Sequence, residues 1–326
     1  MNVRSRASKV ASRELARGSS RIGTWRSRSR SRLPTRREAS RATPSTRSIG
    51  EAHRPAFHSC PSVESSVRTV CLVGLNAIRH NVSVLVGRAA PAALCAVVKA
   101  DGYGHGMVLS VRAALSAGAA CIGVVYVEEA LVLRAAGVDA PVLALLVPSS
   151  ADLVAAVAQE IDLGAGGPAV LTAVTHAAQA VGRPSRVHLE IDTGMGRGGS
   201  TASGWADLVV SASRARTRGL IEIVGIWPHL ARAEEPGHPV TTAQLTAFQA
   251  GLDGAAHVGV EPELRHLANS AALLTEPTSP YNLVRAGIAV YGISPAAAVG
   301  SAQRNLSSRV RHAVMRCSVS RPPSAC

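Results

Sequence analysis

Of the 35 basic residues in this 326-residue chain, only Lys9 and Lys99 are lysines. Lys99 closes the apolar run ALCAVV and is followed at once by ADGYGHG. An amine can lose its proton near neutral pH and a guanidinium cannot, so Lys99 is the basic side chain of the central region equipped to act as a nucleophile or a proton acceptor. Held among apolar residues, such an amine attacks aldehydes and later carries protons. Glycines accompany it. Gly102, Gly104 and Gly106 follow the lysine, and Gly194, Gly196, Gly198 and Gly199 surround Arg197 in DTGMGRGG; both runs free the backbone to turn tightly and expose N–H groups. Gly287 ahead of Ile288 offers a further N–H cluster suited to phosphate. A reactive lysine with a phosphate cradle is what pyridoxal 5'-phosphate requires, because it is held as a Schiff base and works as an electron sink.

Such residues need a scaffold that brings distant segments together. Short β-rich runs alternate with Ala-rich helical stretches, and strands are predicted at 93–99, 120–127, 141–147, 160–165, 186–192, 222–230, 263–268 and 282–287. Helices with apolar residues at i, i+3 and i+4 lie between them, as in MVLSVRAALSAG, VEEALVLRAAG, PAVLTAVTHAAQAVG and TTAQLTAFQAGL. Several strands are apolar throughout, as in a parallel sheet covered on both faces. Eight βα units at this spacing point to an α/β chain forming a (β/α)8 TIM-type barrel, with a doubly wound open sheet as the competing fold. TVCLVGL adds a strand before the barrel, followed by the helix NAIRHNVSVLVGRA. In such a barrel chemistry sits at the C-terminal ends of the strands. The first strand ends at Lys99, the fifth runs into the Arg197 loop, the sixth ends at His229, the seventh at Asn269 and Ser270, and the eighth carries Arg285 before Gly287.

The formal charge of +14 suggests a nucleic acid or a membrane surface as partner until it is divided by region. Residues 1–68 hold 16 basic and 4 acidic residues, and 303–326 hold 5 arginines and no acid, whereas 69–302 hold 14 basic and 17 acidic residues. The central domain is mildly acidic, which argues against a nucleic-acid partner. Residues 1–66 form an Arg/Ser-rich flank expected to be disordered, 67–295 the barrel, and 296–326 an irregular basic tail. No apolar stretch reaches the roughly 20 residues of a membrane span and no secretory signal core is visible, so no membrane association is expected. The six cysteines form no C-x-x-C pair and read as reduced thiols of a cytoplasmic protein. No spacing of metal ligands stands out, so no metal is expected.

AVVKADGYGHG, DTGMGR, PHLARAEE, HLANSAA and NLVRAGIAVYGISP, in this order, resemble the N-terminal barrel of the alanine racemase family over about residues 67–295. The resemblance implies a pyridoxal-phosphate-dependent isomerase interconverting L- and D-alanine for cell-wall synthesis. Lys99 would bind the cofactor covalently and serve as the base on the D-alanine side. Tyr103, Asn269, Ser270 and the backbone at Gly287 and Ile288 would contribute to the cofactor site. His229 would pack against the cofactor ring, Arg285 would face its pyridine nitrogen, and Arg197 would approach the substrate. Family members form homodimers and continue into a β-rich domain that carries the opposite-face tyrosine base. After Pro295 only 31 residues follow, none a tyrosine, so the expectation is a truncated chain that takes cofactor and racemises poorly. A non-catalytic pyridoxal-phosphate-binding barrel is the alternative. Glu190 stands where the family often has a carbamylated lysine, and the expectation is that it orients Arg197 directly.

Overall fold

The computed structural model describes residues 69–275, 281–295 and 316–319. The expected flank 1–66 and most of the tail 296–326 lie outside the described residues. Eight strands form one parallel sheet in the order β8-β7-β6-β5-β4-β3-β2-β9. They are β2 (Ala93–Val97), β3 (Cys121–Val124), β4 (Val142–Ala144), β5 (Asp162–Ala165), β6 (Ser185–Glu190), β7 (Ile221–Trp227), β8 (Leu264–Arg265) and β9 (Leu283–Ala286). A parallel bridge between Asn269 and Arg285 joins the two ends. Backbone bonds from Asn282 N–H to the Arg265 carbonyl and from Arg285 N–H to the Ala268 carbonyl close the seam, so the sheet is a barrel. A separate two-stranded sheet pairs β1 (Thr69–Leu72) with β10 (Arg316–Val319).

The helices are α1 (Leu75–Ala89), α2 (Met107–Ser116), α3 (Val127–Ala135), α4 (Leu153–Ala158), α5 (Pro168–Val181), α6 (Ala202–Thr217), α7 (Pro239–His257) and α8 (Ser270–Thr275). Side chains of a strand alternate between faces. Leu94, Ala96 and Val98 join the apolar cluster shared with helix residues such as Ile78, Val82 and Val111. Cys95 and Val97 face the other way, into the barrel, where a Cβ at Gly123 would meet both. The same alternation on β5, β6 and β9 sends Asp162, His188, Glu190 and Arg285 inward, and all four are buried. Gly225 makes room for them, since a Cβ there would collide with the His188 ring and crowd His266.

The structure shortens the expected seventh strand, 263–268, to Leu264–Arg265. Asn282 explains why: its side chain accepts from Arg265 N–H at 2.8 Å and donates to the Glu263 carbonyl at 2.6 Å. A side chain thereby performs part of the pairing that backbone would otherwise supply.

Candidate functional site

Lys99 follows β2 at the C-terminal rim and opens a single helical turn, Lys99–Tyr103. That turn is left-handed: Ala100 (φ 53°, ψ 54°), Asp101 (φ 51°, ψ 48°) and Gly102 (φ 64°, ψ 42°) are followed by Tyr103 at φ 53°. Three of the four have a Cβ, and each such residue costs about 1–2 kcal/mol in this conformation. Strain of that kind persists where the surroundings over-determine it. Here Asp101 Oδ1 accepts from Met107 N–H at 2.7 Å, Gly106 N–H donates to the Asp101 carbonyl at 2.9 Å, and Gly104 N–H donates to the Ala100 carbonyl at 3.0 Å. The His105 ring stacks on Tyr291 at 4.6 Å. The turn carries the Tyr103 ring back toward the lysine, with Nζ 5.6 Å from the ring centroid.

The Tyr103 hydroxyl lies over Gly287, where a Cβ would fall onto it. Gly287 begins a 3-10 turn, Ile288–Tyr291, rather than an α-helix. Buried Ser270 holds this turn: its Oγ accepts from Gly287 N–H at 2.8 Å and Ala289 N–H at 3.4 Å. Asn269 Oδ1 accepts from Ala272 N–H at 3.0 Å, so its side chain caps α8. The result is a small cluster at the rim of Tyr103 hydroxyl, Ser270 hydroxyl and the backbone at Gly287 and Ile288.

Arg285, 3% exposed, sits below that rim. Its Nη1 lies 2.7 Å from the His266 carbonyl and 2.8 Å from His266 Nδ1, and its Nη2 donates to the carbonyls of Pro228 at 2.9 Å and Leu267 at 3.5 Å. The Trp227 ring covers the guanidinium at 4.7 Å and stacks on His266. His266 Nε2 is 2.9 Å from His188 Nδ1, and His188 Nε2 is 3.2 Å from Asp162 Oδ2. Arg186 clamps the same carboxylate at 2.6 and 3.3 Å. Burial works to raise the Asp162 carboxyl, but the His188 bond and Arg186 outweigh it and hold it below the usual range. Burial, reinforced by Arg285, pushes His266 well below its ordinary value. Arg285 itself is lowered to about 10, by burial first, so it stays charged at neutral pH.

Burial also drives His229 down to about 3, and the charges of Arg285, Arg197 and Lys99 act in the same direction. Three cations from three segments therefore bear on one neutral imidazole. Glu190 is pushed up to about 7 by burial, against the pull of Arg285 and Arg197. Its carboxylate is walled by backbone, since Cβ atoms at Gly166 or Gly198 would come within 3.3–3.4 Å of its oxygens.

The structure thus gathers Lys99, Tyr103, His229, Ser270, Arg285, Gly287 and Ile288 at one rim. Arg197 is brought near but stays exposed, and the expected Glu190–Arg197 ion pair is not formed among the described residues. The loop is organised by Asp192 instead, whose Oδ1 accepts from the N–H groups of Gly194, Met195 and Gly196 at 2.9–3.1 Å. Sequence reasoning missed the Asp162–His188–His266 chain and Trp227. The signal was there: Asp162 and His188 occupy inward positions flanked by the outward apolar residues Leu163, Val187 and Leu189.

A family model described as the alanine racemase N-terminal domain matches residues 73–295. The alanine racemase of Salinispora arenicola (strain CNS-205) is 51% identical over 225 residues, 69% of this chain and 60% of that protein. The alanine racemase of Thermobifida fusca (strain YX) is 49% identical over 223 residues, 68% of this chain and 60% of that protein. The crystal structure of alanine racemase from D-cycloserine producing Streptomyces lavendulae superposes with a TM-score of 0.74 at 42% identity, covering 78% of this chain and 65% of that one. The chain spans about 60% of the length of these curated relatives. Among the described residues no helix is long and apolar enough to cross a membrane.

Proposed function

The chain belongs to the alanine racemase family through its N-terminal barrel domain, and from that premise we propose that it binds pyridoxal 5'-phosphate through Lys99 and exchanges the Cα proton of alanine. The observation that carries the reading is the meeting, at one rim of a closed barrel, of the central region's only lysine with a hydroxyl-and-backbone cradle and a buried arginine. The Tyr103 hydroxyl packed on Gly287, the Ser270 hydroxyl on Gly287 N–H and the adjoining Ile288 backbone form a set of hydroxyl and N–H groups of the kind that suits a phosphate. The donor set fits the rest of the group.

When bound, pyridoxal phosphate supplies an electron sink that acidifies the Cα–H of an attached amino acid. Lys99 provides the covalent anchor and, once released, the base that takes or returns the proton at Cα. Tyr103, Ser270 and Ile288 N–H hold the phosphate. His229, neutral and half-buried, would offer an uncharged ring face for the cofactor ring to lie on. Arg285 spends its four Nη hydrogens on His266, Pro228 and Leu267, which leaves Nε–H for a ring nitrogen. A guanidinium only donates, so a nitrogen opposite it acts as an acceptor and stays unprotonated. Arg285 would thereby moderate the electron sink that the bound group would supply, which suits proton exchange at Cα. Arg197 stands at the substrate side of the rim.

Racemisation needs a proton carrier on each face of Cα, and Lys99 accounts for one. The reading is tested by incubating the pyridoxal-phosphate-loaded chain with each enantiomer of alanine in deuterated water. Lys99-dependent deuterium incorporation into at least one enantiomer is expected. A loaded protein that exchanges neither would be a non-catalytic carrier of the cofactor, and the racemase reading would fall.

A further inference from the structure

Lys99 is set at the rim by a turn that its own residues do not favour, and the bond that meets this turn at its start comes from another βα unit. Glu129, half-buried in the first turn of α3, spreads its carboxylate over three backbone donors. Oε2 accepts from Val125 N–H at 2.8 Å and Tyr126 N–H at 3.3 Å, which caps α3 locally. Oε1 accepts from Ala100 N–H at 2.7 Å, 29 residues away in sequence. Ala100 is both the residue after Lys99 and the first left-handed residue of the turn.

We propose that Glu129 is a positioning residue for Lys99: by bonding Ala100 N–H it ties the end of β2 to the end of β3 and fixes the left-handed turn that sets the Lys99 amine and the Tyr103 hydroxyl relative to each other. Helix capping alone asks for less. The two donors at Val125 and Tyr126 would satisfy one oxygen, and a shorter Asp at this position could serve them. The second oxygen is committed to the Lys99 turn, and both oxygens must be acceptors because all three partners are N–H donors. A Gln here would aim an amide N–H at one donor or the other. Charge also matters, since a carboxylate accepting from backbone N–H groups makes bonds about twice as strong as neutral ones. The turn has further supports at Asp101 and His105, but those act after Ala100; Glu129 acts at the point where the chain leaves the strand.

The relevance of this device to cofactor binding rests on the Lys99 reading above, and the test separates the two. Glu129→Asp keeps the charge and the reach to the α3 amides but is one methylene too short for Ala100; Glu129→Ala removes both. Asp152→Ala, which deletes the cap bond of α4 to Ala155 N–H, serves as a control for loss of a helix cap elsewhere on the barrel. Amide exchange measured by NMR on the protein without added cofactor should quicken at Ala100–Gly104 in both Glu129 variants and not in Asp152→Ala. The dissociation constant for pyridoxal phosphate should rise about tenfold or more in both Glu129 variants, the usual size of a lost charged hydrogen bond, and stay unchanged in the control. Glu129→Asp should keep thermal stability near that of the parent. Unchanged exchange at Ala100–Gly104 in Glu129→Asp, or parental cofactor affinity in both Glu129 variants, would overturn the proposal. A parent chain that takes up no pyridoxal phosphate would refute the Lys99 reading while leaving the exchange result to decide on Glu129.

Discussion

Arg285 Nη1 lies 2.8 Å from His266 Nδ1, and a guanidinium can only donate, so Nδ1 is the acceptor and the His266 proton resides on Nε2. That proton points at His188 Nδ1, 2.9 Å away, which makes His188 an acceptor there and a donor from Nε2 to Asp162. One fixed charge thereby sets the tautomer of two buried imidazoles in a line of bonds that ends at Asp162. Nitrogen-15 NMR should find His266 in its neutral Nε2–H form throughout the pH range of the folded protein, as expected from burial and the Arg285 charge pushing its pKa well down. The same spectra should show His188 Nδ1 as the acceptor nitrogen and its Nε2 as the donor to Asp162. A doubly protonated His266 at pH 6 would contradict the chain of donors.

Glu190 makes stability depend on pH with a definite sign. Its folded value of about 7 lies above the ordinary carboxylate value of 4.5, because burial outweighs Arg285 and Arg197. The folded state therefore binds more protons than the unfolded state between these values, and stability contributed by the protonated form is present below about 4.5 and lost as pH rises through 7. Glu190→Gln mimics the protonated form. In denaturant titrations without cofactor it should match the parent near pH 4.5 and exceed it by about 2–3 kcal/mol at pH 8. A variant less stable than the parent at pH 8 would show that the two arginines win over burial.

Two substitutions separate the roles at this rim. Ser270→Ala leaves the buried Gly287 N–H without its acceptor and should cost about 1–3 kcal/mol of stability as well as cofactor affinity. Gly287→Ala keeps every hydrogen bond but pushes the Tyr103 hydroxyl aside, so it should weaken pyridoxal phosphate binding more than it lowers the melting temperature. Equal affinity for the cofactor in Gly287→Ala and the parent would remove Tyr103 from the phosphate site.

The barrel was legible because several of its strands are continuous apolar runs and its helices carry clean i, i+3, i+4 faces; all eight strands fall where the sequence places them, with ends displaced by a few residues. The rim was legible because Lys99 is chemically singular and because Ser270 and Gly287 follow strands and Arg285 sits near the end of one. What the sequence hides is handedness and long-range pairing. Gly102 and Gly104 announce a tight turn, but nothing local says that Ala100, Asp101 and Tyr103 also adopt positive φ, since that depends on Glu129 and Asp101 bonds closed only in the fold. His188 and His266 are separated by 78 residues, so their pairing is a property of barrel closure rather than of any motif. The Arg197 loop went the other way: charge complementarity suggested a partner in Glu190, while the short reach of Asp192 to its own loop amides set the conformation first.

The attachment of cofactor to one amine is the claim on which the rest depends, and borohydride reduction reads it directly. After incubation with pyridoxal phosphate, reduction and proteolysis, mass spectrometry should find a single phosphopyridoxyl group on the peptide containing Lys99, and Lys99→Ala should carry none and show no matching absorbance. A modified amine elsewhere, or an unchanged spectrum in Lys99→Ala, would contradict the account.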